Sequence, residues 1–173
     1  MKFITDNTFS LKPVLKWNGS CSGESRVLIN GHLTRYKVYG EILYKCIQVY
    51  SYYLLFITYE EDMIYVSNVY LFNNKEKKID TAKIYASYLQ DDLNALFGLI
   101  DEDTYSGELT DFKFVSSNEM TFKFFKSIWK LEILEKPRCY LYSDMDDRSC
   151  GRLLERPPGL RTYLKFSIIS QQK

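Results

Sequence analysis

The stretch that decides the fold is Tyr52-Tyr53-Leu54-Leu55-Phe56-Ile57-Thr58-Tyr59, a nearly continuous apolar run. Its aromatic and β-branched residues favour a strand. Because it has no polar face, we predict a central strand that is covered on both sides of its sheet. Extending the run back to Ile42 brings in Lys45 and Gln48. A membrane-spanning helix needs about 20 apolar residues with almost no charge, so this stretch does not predict one.

Segments with period-2 alternation lie on both sides of this run, separated by turn signals. Asn30-Gly31 is a hairpin signal, and it joins predicted strands at 24–30 and 33–39. Pro137 is predicted to end the strand that contains Trp129. The other predicted strands are 41–48, 63–72, 78–85, 109–115, 119–125 and 161–169.

One helix is predicted, because a single apolar stripe at helical spacing is formed by Leu89, Leu93, Leu96, Phe97 and Ile100. The expected fold is mainly β: an antiparallel β-sandwich or open barrel of roughly ten short strands with one short helix. We assign residues 1–173 to a single domain, since no linker rich in Pro or Gly divides them. Residues 142–159 are charged, turn-rich and without a period, which indicates a long irregular loop.

Composition excludes several classes of function. Lys and Arg number 23 against 22 acidic residues, a formal charge of +1, whereas a strong non-specific nucleic-acid binder needs a clear basic excess. The chain has a single histidine, which removes most His-based metal sites and leaves little room for a His-dependent acid–base enzyme. His32 follows a predicted turn, so we interpret it as a histidine at the surface or at a strand end.

The cysteines and the first residues bear on the compartment. Cys21, Cys46, Cys139 and Cys150 show no zinc-site spacing. The start carries Asp6 and no apolar segment of signal-peptide length, so we expect a cytoplasmic protein with reduced thiols. Neither glycine-rich phosphate-binding motif is present, and no cofactor is predicted.

Three short acidic clusters fall in predicted loops or at the ends of elements. Together with tyrosines that point outward, they are expected to form the rim of a protein-recognition surface. Acidic rims also speed association with basic partners. The predicted partner-binding residues are Glu60, Glu61, Asp62, Asp101, Asp103, Tyr105, Tyr142, Asp144, Asp146 and Asp147. If the partner surface is acidic, the contact would instead come from Arg148, Arg152 and Arg156.

Four segments carry a family resemblance: Leu54-Leu55-Phe56-Ile57-Thr58-Tyr59, Val69-Tyr70-Leu71-Phe72, Ile79-Asp80-Thr81-Ala82 and Leu134-Glu135-Lys136-Pro137-Arg138. Their order is an apolar strand, a polar-tipped hairpin, a helix, a second hairpin and a strand exit. Over most of residues 40–140 the chain resembles the immunity proteins that bacteria encode beside secreted polymorphic or type VI toxins. The resemblance implies a non-enzymatic protein that binds a cognate toxin and occludes its active site, without catalytic residues.

Three alternatives remain open. A metal-dependent enzyme would use Asp144, Asp146 and Asp147 as ligands, because hard cations favour clustered carboxylate oxygens. A module for single-stranded nucleic acid would combine aromatic stacking with cations, drawn from Lys123, Lys126, Lys130 and Trp129. A structural subunit would use its aromatic face as a homo-oligomer interface.

Overall fold

The computed structural model describes residues 1–5, 7–16, 23–59, 66–85, 109–124, 127–140, 154–156 and 159–171. Within these ranges the chain forms thirteen strands and no helix. The strands pair antiparallel in three sheets that stack like the layers of a sandwich, which confirms the predicted fold class. The sheets do not close into a barrel. The predicted helix over residues 89–100 lies outside the described residues.

The middle layer is a six-stranded sheet. Its strands, numbered along the chain, lie in the order β1 (Lys2–Phe3), β5 (Ile42–Val49), β6 (Tyr52–Thr58), β7 (Val66–Asn73), β8 (Lys78–Tyr85) and β12 (Leu154–Glu155). The predicted central strand is β6, which pairs with β5 on one side and β7 on the other. Leu54 and Phe56 enter one hydrophobic cluster, while Leu55 and Ile57 enter a second cluster on the opposite face. This strand therefore belongs to both cores.

A four-stranded sheet covers the face of β6 that carries Phe56. Its order is β13 (Gly159–Gln171), β11 (Ser127–Tyr140), β10 (Glu119–Phe124) and β9 (Leu109–Phe114). The two layers contact each other through aromatic rings. The centroids of the Phe56 and Phe122 rings lie 5.3 Å apart in an edge-to-face arrangement. Such pairs add about 0.5–1.5 kcal/mol beyond the area that they bury.

A three-stranded sheet covers the opposite face. It consists of β2 (Phe9–Leu15), β3 (Glu24–Ile29) and β4 (His32–Tyr39), with β3 in the middle. Every second residue of β3 points inward: Ser25, Val27 and Ile29 are buried, whereas the residues between them are only half-buried. Phe9 from β2 and Val38 from β4 complete the inner surface of this layer. One face of this sheet therefore remains open to solvent.

A buried ion pair joins the central sheet to the four-stranded sheet. The Asp80 carboxylate accepts backbone N–H groups from Tyr163 at 2.6 Å and Leu164 at 2.8 Å. Arg156 lies 3.3 Å from the same carboxylate oxygen and donates to the Leu164 carbonyl at 2.6 Å. The side chains of this pair are 1% and 6% exposed. Asp80 and Arg156 thereby clamp β8 to β13 at the edges of two layers.

Two predictions about strands need correction. The strand at Trp129 does not end at Pro137, since β11 continues to Tyr140. The pairing of β11 with β13 is irregular between Ile133 and Arg138, so the missing N–H of proline is tolerated there. β1 and β2 have no clear strand pattern in the sequence and were not predicted. Leu154–Glu155, predicted to lie in a loop, pairs with β8 as β12.

Truncating either face of β6 is expected to destabilise the protein to a similar extent. Leu54→Ala and Leu55→Ala each remove a fully buried side chain, but from different clusters. Each should lower the free energy of unfolding by about 2–5 kcal/mol, measured by urea denaturation. Leu33→Ala is the control, because Leu33 is 48% exposed and should cost less than about 1 kcal/mol. A small effect of Leu55→Ala alone would contradict the three-layer arrangement.

Breaking the Asp80–Arg156 pair is expected to be costly. Asp80→Ala removes the carboxylate that pairs with the buried Arg156 guanidinium and accepts two backbone N–H groups of β13, which should lower the free energy of unfolding by about 3–5 kcal/mol. Glu119→Ala is the control, since it breaks the Glu119–Lys130 pair of 2.8 Å, whose side chains are partly exposed. That pair should contribute about 0–1 kcal/mol. Equal losses in the two variants would argue against the clamp.

Candidate functional site

The solvent-facing side of the three-stranded sheet is the candidate site. Because the residues of β3 alternate, Glu24, Arg26 and Leu28 point away from the core, and their cross-strand neighbours share that side. We define the outer face as Ser10, Lys12, Leu15, Glu24, Arg26, Leu28, Leu33, Lys37 and Tyr39.

Three cations lie side by side in the middle of the outer face. Lys12 is directly opposite Arg26, and Arg26 is directly opposite Lys37. Directly opposed Cβ atoms in a sheet are about 4.5–5.5 Å apart, and like charges in such pairs are destabilising. Lys37 forms an ion pair with Glu24 at 2.5 Å. Within the described part of the chain, Lys12 and Arg26 form no ion pair. We call these three residues the cation row.

Apolar side chains flank the cation row on both sides. Leu28 and Leu33 form an opposed pair on one side of it. On the other side Leu15 and Tyr39 are both opposite Glu24. Leu15 is 48% exposed and Tyr39 is 56% exposed. Arg and Tyr are the residue types, with Trp, that most often carry the binding energy of protein interfaces, so this mixture favours recognition of a macromolecule.

β4 is held in position at both ends, by the Asn30-Gly31 turn before it and by Gly40 after it. Asn30 and Gly31 have φ angles of 51° and 78°, which the two-residue turn predicted from Asn-Gly requires. At the other end Gly40 has a φ of 107°, and a Cβ atom there would lie 2.6 Å from Ile57 Cγ2. Glycine is therefore required where the chain passes from β4 to the central sheet.

A hydrogen bond ties the outer face to the middle layer. The backbone N–H of Tyr39 donates to the Tyr70 hydroxyl at 2.8 Å. Burial raises the pKa of this hydroxyl well above its ordinary value, so Tyr70 stays neutral and protonated. The end of β4 that presents the Tyr39 side chain is thus fixed by a contact within the chain.

A groove of about 540 Å³ lies where the chain leaves the edge of β5 after β1. Its lining includes Phe9 and Cys46, which are also core residues, and one charged side chain, Lys45. The Lys45 ammonium lies 5.3 Å from the centroid of the Tyr44 ring. The groove has fewer charged and exposed recognition side chains than the outer face, which we therefore treat as the stronger candidate.

The predicted acidic rim lies outside the described residues. This holds for Glu60, Glu61, Asp62, Asp101, Asp103, Tyr105, Tyr142, Asp144, Asp146 and Asp147. Arg148 and Arg152 lie outside them as well. Arg156 is described, and the suggestion that it contacts an acidic partner is wrong. It is 5% exposed and paired with Asp80, so it is not available at the surface.

One aromatic residue proposed to stack on single-stranded nucleic acid does not lie at the surface. Trp129 is fully buried in the core between the central and four-stranded sheets, and it cannot stack on a base. Lys130 pairs with Glu119, and Lys126 lies outside the described residues. His32 is exposed at the first position of β4, which confirms its interpretation as a strand-end histidine.

No protein-family model matches this chain, and neither a curated protein nor a solved structure is significantly similar to it. Among the described residues there is no helix with the length and apolar character needed to cross a membrane. The same residues contain no group of three or more His, Cys, Asp or Glu side chains arranged to hold a metal ion.

Removing the central cation of the row is expected to stabilise the fold. Arg26→Gln keeps most of the side-chain length but removes the charge that faces Lys12 and Lys37. The free energy of unfolding should rise by about 0.2–1 kcal/mol. Because 1 M salt reduces the screening length to about 3 Å, the gain should shrink there. Urea denaturation at low and high salt measures both effects.

Lys113→Gln is the matched control for this prediction. Lys113 also lies in an outer strand, but it is opposite Thr121 rather than a cation. It should show no comparable gain. If Arg26→Gln is no more stable than the wild type at low salt, the cations of the row do not repel one another appreciably.

Proposed function

We propose that this chain is a non-enzymatic immunity-type protein that binds a cognate bacterial toxin and neutralises it by occluding its active site. The resemblance to immunity proteins suggests the class. The observation that carries the proposal is the outer face, where opposed cations lie between exposed leucines and a tyrosine. A surface that keeps like charges opposed at a cost in stability is typical of a surface retained for binding.

The framework behind this face suits inhibition by occlusion. Strands β2, β3 and β4 share a hydrophobic core with the central sheet. The end of β4 is fixed by the hydrogen bond of Tyr39 and by the close packing at Gly40. A surface that is ordered before binding loses little conformational entropy on association, so more of the contact energy appears as affinity. Opposite charges across the interface also accelerate the encounter of the two proteins.

On this proposal the outer face meets an acidic part of the toxin. The acidic residues proposed from the sequence, such as Asp144 and Asp146, would contact basic parts of the same partner. Contacts of both signs would give the complex a fixed orientation, because wrongly placed like charges cost several kcal/mol. No cofactor takes part in this mechanism.

The test asks whether this chain rescues a bacterial host from the toxin that the neighbouring gene encodes. The toxin encoded beside this chain is expressed in a bacterial host with wild-type protein, with Arg26→Glu/Lys37→Glu, or with Lys75→Glu/Lys77→Glu. The last pair makes the same charge change on the exposed turn between β7 and β8. Wild type and the turn variant should restore growth and form a 1:1 complex. The outer-face variant should bind about 100-fold more weakly.

Two outcomes would contradict this function. One is that no toxin-like gene lies beside this chain, or that its product is neither bound nor neutralised by the wild type. The other is salt-dependent binding of a single-stranded oligonucleotide that is tighter than binding of any toxin. Three phosphate contacts by the cation row would give a slope of about −2 in a plot of log affinity against log salt.

A further inference from the structure

The cation row is oriented across the strands of the outer face. Lys12, Arg26 and Lys37 lie on three neighbouring strands, so the row runs across the strands rather than along them. Its members are about 4.5–5.5 Å apart at Cβ. Leu28 lies two residues from Arg26 and Tyr39 lies two residues from Lys37 along their strands, which places each about 7 Å from the cation row. Leu15 and Leu33 lie farther along their strands, three residues from Lys12 and four residues from Lys37, because both strand pairs contain a register shift.

We propose that the cation row receives an acidic α-helix of the partner, which lies across the three strands. This inference rests on the proposed function and specifies the partner's contacting element. Carboxylates at positions i, i+4 and i+8 of a helix form one stripe, in which neighbouring Cβ atoms are about 5–6 Å apart. That spacing fits the cation row, so each carboxylate can meet one cation.

An extended strand fits the row less well. Side chains on one face of a strand repeat at about 6.6–6.8 Å, and the mismatch with the row grows from the first cation to the third. A nucleic acid also fits less well, because leucines flank the row on both sides and Glu24 lies within the outer face. Surfaces that bind single strands instead interleave cations with several aromatic rings.

The width of the outer face agrees with a helix. An α-helix with its side chains is about 10–12 Å across, so it covers the cation row and reaches the nearest apolar side chains beside it, Leu28 on one side and Tyr39 on the other. The partner helix should therefore carry apolar residues on both sides of its acidic stripe. Glu24 already pairs with Lys37, whereas Arg26 and Lys12 are free of ion pairs within the described residues. Arg26 and Lys12 should consequently contribute more to binding than Lys37.

Two synthetic helical peptides of identical composition test this proposal. Both are constrained as helices; one has Glu at i, i+4 and i+8 with Leu beside the stripe, and the other distributes the same residues around the helix. Calorimetry with the full chain should give at least about tenfold tighter binding for the striped peptide. Arg26→Gln and Lys12→Gln should each weaken that binding about tenfold, and Lys37→Gln should weaken it less. Lys113→Gln is the control and should have no effect.

Three results of the binding measurements would each overturn the inference. They are equal binding of the two peptides, unchanged binding of the striped peptide by Arg26→Gln, and tighter binding of a single-stranded oligonucleotide at the same residues. These outcomes are distinct from failure of the proposed function. A toxin that is neutralised as well by Arg26→Glu/Lys37→Glu as by the wild type would be bound elsewhere on the chain, which also overturns the inference but leaves toxin immunity standing.

Discussion

The burial of β6 on both faces is the constraint on which the rest of the structure depends. Its side chains alternate between two hydrophobic clusters, and Leu54, Leu55, Phe56 and Ile57 are all inaccessible to solvent. Each fully buried side chain of this size contributes about 1.5–3 kcal/mol. Because neither face of the middle sheet can be left in water, each face must be covered by another layer. In this chain the other strands supply both layers, and the stack has three sheets.

Polar contacts then fix how the layers sit on one another. On one side, the Asp80 carboxylate accepts two backbone N–H groups of β13 and pairs with Arg156. On the other side, Tyr70 accepts the N–H of Tyr39. Hydrophobic contact between sheets is non-directional, whereas these hydrogen bonds have one geometry. They specify the relative placement of sheets whose apolar surfaces alone would tolerate sliding.

The sequence predicted the strands that alternate cleanly, but it did not predict the candidate site. The Asn30-Gly31 turn and the two-sided burial of β6 followed from local pattern. The cation row could not be predicted from local pattern. Pro13 makes the β2 segment unlike a typical strand, and β4 carries a bulge. A regular two-residue hairpin would place Arg26 opposite Arg35, whereas the structure pairs it with Lys37. Register across a bulge depends on tertiary packing, and period-2 patterning contains no information on it.

The separation of the outer face from both cores has a consequence for how such a protein changes over evolutionary time. Residues such as Lys12 and Leu33 contribute little to the interior, so they can be exchanged without unfolding the chain. Substitutions can therefore accumulate on three strands while the middle sheet stays the same. The architecture separates the positions that maintain the fold from the exposed positions of the outer face, and under the proposed function it would allow new pairings to arise on an unchanged scaffold.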